Sequence, residues 1–189
     1  ISAFLITFTC IAGTIWSWDL TQLPEGWEAN EYWSFDIEGA HSYVEASTYG
    51  PYSESETAQM YSDTMTVPDS VDCMVVNILD EWNYSGWWSN GESSCVIWFR
   101  LSPLEADYYT IEFDSHYWGF IRINDEKTTS VLIPLAGGEE FYLDFYSRAS
   151  SSYGAGAEMA WDISNLQITD TTTAALEHST WGQIKREFN

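Results

Sequence analysis

From residue 42 to residue 168 the chain repeats one pattern: a short run of alternating apolar and polar residues, then a turn-rich break. The runs are SYVEAS (42–47), MVVNIL (74–79), CVIWFRL (95–101), YYTIEF (108–113), GFIRIN (119–124), SVLIPL (130–135), FYLDFYS (141–147) and MAWDISNLQI (159–168). The breaks are TVPDS, YSGWWSNGESS, LSPLEAD, INDEKTT, LAGGEE and SSSYGAG. A period of two places alternate side chains on opposite faces of a strand. Gly, Pro, Ser, Asn and Asp supply the turns between strands. No stretch within 16–168 sustains a helical period. Many short strands at this spacing predict an all-β, antiparallel sandwich or barrel. MVVNIL and CVIWFRL are nearly continuous apolar runs, which places them inside a sheet rather than at its edge.

Composition narrows the partners. Aromatic residues make up 17% of the chain, with 11 Trp, 12 Tyr and 9 Phe. Such rings suit half-buried pleated surfaces, so they point first to strands and second to a binding face. Twenty-nine acidic residues face six Lys and Arg, for a formal net charge of -23. Phosphate backbones and anionic lipid surfaces are bound by clustered Lys and Arg, which excludes nucleic acid and an anionic membrane surface as partners. The acidic residues make a highly soluble surface, and some of them suit calcium, a hard cation that takes oxygen ligands.

The ends differ from the middle. Ile1–Ile15 is uncharged and mostly apolar, too short to span a bilayer comfortably. It reads either as a signal-peptide remnant, cut after Ala12 or Gly13, or as a retained first strand or assembly segment. The first reading makes the protein extracellular and secreted. The β-sandwich is expected over 16–168. Residues 169–189 are expected to form a Thr-rich linker and a short helical tail, with Trp181, Ile184 and Phe188 on one face. The tail STWGQIK resembles a short ending of some secreted bacterial proteins. In an oxidising compartment Cys73 and Cys95 either form one disulfide or remain free, buried thiols; a simple hairpin would set them out of register.

Two further stretches resemble a known family. Leu23-Pro24-Glu25-Gly26-Trp27 stands near the start, and Ala160-Trp161-Asp162-Ile163-Ser164-Asn165-Leu166 near the end. Together they resemble the opening and closing strands of secreted jelly-roll adhesin and MAM-like domains. The resemblance covers roughly residues 16–170 by element order. It implies a two-sheet antiparallel jelly-roll-type β-sandwich, with contacts in end loops or on one exposed face. It also implies structural calcium between the terminal strands, with Asp19 and Asp162 the best-placed ligands. The closing strand reads WDISNL where the family carries a double Asp, a departure that bears directly on the calcium site.

Three constellations are candidates for chemistry. The first is Trp82, Tyr84, Trp87 and Trp88 within a stretch rich in Gly, Asn and Ser, with Trp118 nearby in sequence. Exposed rings stack on the apolar faces of sugars while Asn and Glu bond their hydroxyls; the same rings could instead cover one end of the core. The second is Glu112, Asp114 and His116, which strand alternation puts on one face. It faintly resembles the E-x-D-x-x-E strand of jelly-roll glycoside hydrolases, but Tyr117 stands where the second Glu belongs. A plain solvent-facing strand accounts for the same pattern. The third is the Asp19 and Asp162 pair. No G-x-S-x-G, H-E-x-x-H, phosphate-loop or dinucleotide motif is present. The expected function is a secreted, non-catalytic module binding glycan or an extracellular protein partner through its aromatic-rich loops. A filament-forming subunit and a small glycoside hydrolase are the alternatives.

Overall fold

A computed structural model describes residues 13–49, 51–71, 73–88, 91–102, 106–115, 119–133, 135 and 137–170, with backbone alone for 88, 106–115 and 119–133. Every regular element among them is a strand. In chain order they are β1 (Thr14–Trp18), β2 (Glu28–Ala29), β3 (Trp33–Asp36), β4 (Gly39–Ser47), β5 (Ser53–Tyr61), β6 (Met65–Thr66), β7 (Met74–Trp88), β8 (Ser93–Ser102), β9 (Ala106–Ser115), β10 (Gly119–Ile133), β11 (Glu140–Ser152) and β12 (Ala155–Asp170).

The strands form two antiparallel sheets. One runs β10-β7-β12-β4-β3 and the other β2-β5-β11-β8-β9. From β4 onward the main strands pass from one sheet to the other at each connection except β8–β9, which are neighbours in one sheet, and this is the double Greek-key order of a jelly roll. The fold is thus the jelly-roll-type β-sandwich that the alternation and the resemblance imply. As expected, MVVNIL and CVIWFRL are interior strands: β7 lies between β10 and β12, and β8 between β11 and β9. Two short strands finish the sheets. β1 pairs with the last part of β12 beyond β4, after a register shift between Ile163 and Asn165. β6 pairs with the start of β11 beyond β5.

Alternation explains what lies inside. In β11, Phe141, Leu143, Phe145, Ser147 and Ala149 are buried, while Tyr142, Asp144, Tyr146 and Arg148 face outward. In β8, Cys95, Ile97, Phe99 and Leu101 are buried and Val96, Trp98 and Arg100 are not. Phe145 sits at the centre of the interior, with ring centroids 5.1 Å from Phe99, 5.9 Å from Trp161 and 6.1 Å from Trp27. Such pairs add about 0.5–1.5 kcal/mol each beyond their buried area. Buried hydroxyls satisfy one another across the sandwich: Ser42 and Ser147 lie 3.0 Å apart.

Several expectations are corrected. YSGWWSNGESS is not one loop, because β7 continues through Trp88. INDEKTT is not a break either: GFIRIN and the first four residues of SVLIPL, Ser130–Ile133, belong to one fifteen-residue strand, β10, in unbroken register with β7. Polar residues outvote propensity where a long partner strand satisfies their backbone. Strand structure also extends past the expected limits, from Thr14 to Asp170. Of the two alternatives open for Cys73 and Cys95, the structure has the free thiols, Cys95 buried and Cys73 partly buried. Cys95 lies 3.6 Å from the Glu158 carbonyl, opposite Ser85 on β7, whereas Cys73 immediately precedes the far end of that strand. Roughly 35 Å of strand separates them, against about 7 Å for a bridge. The tail 171–189 and residues 1–12 lie outside the described residues.

Candidate functional site

The expected aromatic loop is dispersed by the β7 alternation. Trp82 and Tyr84 point inward and are buried. Trp87 points the other way, half-buried, with Tyr49 at 5.6 Å between ring centroids. The side chain of Trp88 and all of Trp118 lie outside the described residues. So does His116. Glu112 and Asp114 are on β9, opposite Val96 and Ser94 of β8, with only their backbone described.

Asp19 and Asp162 are not brought together. The Asp19 carboxylate accepts from both the backbone and the hydroxyl of Thr21, at 3.1 and 3.0 Å. Asp162 Oδ1 instead receives His41 Nδ1 at 2.8 Å. Among the described residues no three His, Cys, Asp or Glu side chains converge as metal ligands.

The outer face of the β5-β11-β8 sheet carries a different aromatic arrangement. Trp98 and Tyr146 are directly opposed across β8 and β11 and stack in parallel, 4.5 Å between centroids and 5° between planes. The Arg100 guanidinium lies 3.9 Å from the Trp98 ring centre. Two groups so close to one centroid take opposite faces of the ring. Tyr146 therefore keeps its second face toward β5, where Gln59 is its cross-strand partner.

One step along β11, this ladder opens into a cleft of about 400 Å³. Tyr61 and Tyr142, each more than a third exposed, are its aromatic walls. Gln59, Asp144, Glu28 and Asp63 supply amide and carboxylate groups. Gln59 Nε2 donates to Asp144 Oδ1 at 3.1 Å, and the Tyr61 hydroxyl donates to Glu28. Asn30 fixes this edge from behind: its Oδ1 accepts the Gln59 N–H at 3.2 Å and its Nδ2 donates to the Thr57 carbonyl at 2.8 Å. Partial burial raises the Asp144 carboxyl above its usual pKa, opposed by the Gln59 hydrogen bond and the Arg100 charge. The hydrogen bond to Glu28 is the main cause holding the Tyr61 hydroxyl protonated beyond its usual range. Flat apolar walls beside fixed, bidirectional hydrogen-bonding groups suit a polyhydroxylated ring.

Sequence reasoning passed over this site although its signal was present. FYLDFY alternates Phe and Leu with Tyr and Asp, and CVIWFR places Trp98 and Arg100 on one face. Reading those runs for their polar side reveals the ladder.

No known protein family matches the sequence, and no curated protein matches it. Among solved structures, TmCBM61 in complex with β-1,4-galactotriose is 8% identical, covering 77% of this chain and 89% of that one, with a TM-score of 0.28. The carbohydrate-binding module CBM6cm-2 of Cellvibrio mixtus lichenase 5A, in complex with cellotriose, is 14% identical, covering 84% and 98%, with a TM-score of 0.24. The cowpea mosaic virus empty virus-like particle is 12% identical, covering 72% and 85%, with a TM-score of 0.28. Likeness this distant says nothing about ligand or site.

Proposed function

We propose that this chain is an exported, non-catalytic glycan-binding module whose sugar site is the cleft walled by Tyr61 and Tyr142. The observation that carries the reading is the cleft itself. Two partly exposed tyrosines flank a Gln59–Asp144 pair, next to a stacked Trp98–Tyr146 ladder, on the open face of a rigid sheet. The jelly-roll scaffold needs none of these groups for its core, since Phe141, Leu143 and Phe145 fill it from the other side of the same strand. The lining is acidic, and the whole chain carries a net charge of -23, which favours neutral sugars over sulfated or uronic ones.

The test is retention in native gels containing soluble glycans, followed by titration calorimetry. The Tyr61→Ala/Tyr142→Ala double variant is expected to lose roughly tenfold or more in affinity with an unchanged circular dichroism spectrum. Trp87→Ala is expected to bind as the parent does. Loss of binding in Trp87→Ala, with the tyrosine variant unaffected, would return the site to the β7 aromatics.

A further inference from the structure

The cleft is one end of a longer feature. After Glu140, the outward residues of β11 run, in order, Tyr142, Asp144, Tyr146, Arg148, Ser150 and Ser152. The first two line the tyrosine cleft and the third is in the aromatic ladder. The last three line a second cleft of about 290 Å³, with Ser53, Ser55 and Ser94 on the flanking strands. Thus each outward position of β11 from Tyr142 to Ser152 faces a cleft or a ring. The distance covered is about 33 Å.

The chemistry is graded along this line. The tyrosine cleft offers rings and carboxylates, the middle offers the stacked rings, and the second cleft offers hydroxyls, the Arg148 guanidinium and two glutamates, Glu54 and Glu92. The serine end is structurally fixed: Ser94 and Ser150 hydroxyls lie 2.6 Å apart, and the Ser152 N–H donates to the Glu92 carbonyl at 2.9 Å.

Beyond Ser152 the line ends at two strongly exposed tyrosines, Tyr52 and Tyr153. The Tyr153 N–H donates to the Tyr52 carbonyl, joining the two loops. Tyr153 has φ +51°, a left-handed conformation held by a bulky ring where Asn or Gly sits without strain. The connection to Gly154, φ +81°, needs positive φ; it does not need a tyrosine. Strain retained at an exposed aromatic points to a use for the ring.

We infer that the ligand is an extended, unbranched, neutral glycan chain lying along β11, gripped at the tyrosine cleft and read over its length as far as the Tyr52–Tyr153 rim. This rests on the glycan-binding reading and adds to it the chain's length and course. A terminal sugar would need only one cleft. A linear polymer uses both clefts and the ladder between them.

The experiment is a calorimetric length series using cello-, galacto- and xylo-oligosaccharides from disaccharide to octasaccharide, with the full chain. Affinity in the recognised series is expected to rise at least tenfold from disaccharide to octasaccharide. Arg148→Ala and Tyr153→Asn are each expected to lower octasaccharide affinity severalfold and leave disaccharide affinity unchanged. Tyr153→Asn is also expected to raise the melting temperature by about 2–4 °C, because it relieves the strained backbone. Affinity that is flat with length, yet still abolished by Tyr61→Ala/Tyr142→Ala, overturns the track and leaves the single-cleft module standing. A Tyr153→Asn variant that is more stable and binds octasaccharide as tightly as the parent removes the far end of the track. Absence of binding in all three series overturns the track together with the glycan reading.

Discussion

At the scale of single residues, the backbone contributes as much to the design as the side chains do. Gly39 opens β4 with φ +136°, and a Cβ there would lie 2.3 Å from the Ile163 carbonyl oxygen. Its neighbours are backbone atoms of β12, which have little room to yield. The close approach lets the β3–β4 hairpin close against β12 where the register shifts between Ile163 and Asn165. Gly39→Ala is therefore expected to cost about 1–3 kcal/mol, read as a lower midpoint in urea with an unchanged slope. A neutral result would mean that β12 moves freely at this point. The aromatic residues teach a related lesson. Trp82 and Trp98 look alike in the sequence, both set among polar or apolar neighbours at period two. Only the phase of the alternation separates them: Trp82 shares its face with Tyr84, which is buried, and Trp98 shares its face with Arg100.

At the scale of elements, one contact holds the β3–β4 hairpin to β12 with charge. His41 Nδ1 lies 2.8 Å from Asp162 Oδ1, and its Nε2 lies 3.0 Å from Asp36 Oδ1. Both ring nitrogens face carboxylates, an arrangement only the imidazolium satisfies fully. Partial burial lowers the His41 pKa, but the hydrogen bonds to Asp162 and Asp36 and their charges outweigh it and set it above its ordinary 6.5. Asp36 is held below its ordinary 3.8, first by the Glu38 N–H and then by His41. Glu38, Asp80 and Glu81 line the same small cleft, so the surroundings also favour a cation. The signs follow by linkage. The His41 contribution is complete below its unfolded pKa and disappears as pH rises through the higher folded value. The Asp36 contribution is present above its unfolded pKa and disappears as pH falls through the lower folded value. The contact is thus fully formed from about pH 4 to about pH 6.5. Urea unfolding of the parent and of His41→Gln is expected to show a stability gap at pH 5.5 that closes by pH 9. An equal gap at both pH values would show that His41 acts by packing alone. None of this was legible in sequence, because 121 residues separate His41 from Asp162 and only strand order makes them neighbours. What was legible were the short, strongly alternating strands. β10 was missed as a unit because Asn124-Asp125-Glu126-Lys127 resembles a turn until β7 supplies a partner for each position.

At the scale of the whole molecule, the jelly-roll plan follows from period-two runs too numerous for one sheet, with their apolar faces needing a second sheet to bury them. The candidate site was less legible, since it depends on which face of β8 and β11 stays open, and that is decided by pairing and not by composition. Charge was legible throughout, and its consequence is separable from that of the site. Twenty-nine acidic residues against six Lys and Arg give a chain that repels itself when folded compactly. Raising NaCl from about 10 mM to about 150 mM shortens the screening length from about 30 Å to about 8 Å. The melting temperature is therefore expected to rise over this range, by more than any single surface charge pair could produce. A neutral glycan gains nothing from the protein's field, so its affinity is expected to stay within about twofold across the same salt series. The two readouts separate the causes. A melting temperature that falls with salt would mean that the attractions around Arg100, Arg148 and His41 outweigh the repulsion of the remaining carboxylates. An affinity that changes steeply with salt, while stability rises as expected, would mean that the recognised sugar is itself charged. A loss of affinity on adding salt would identify a cationic amino sugar, drawn to Glu28, Asp63 and Asp144.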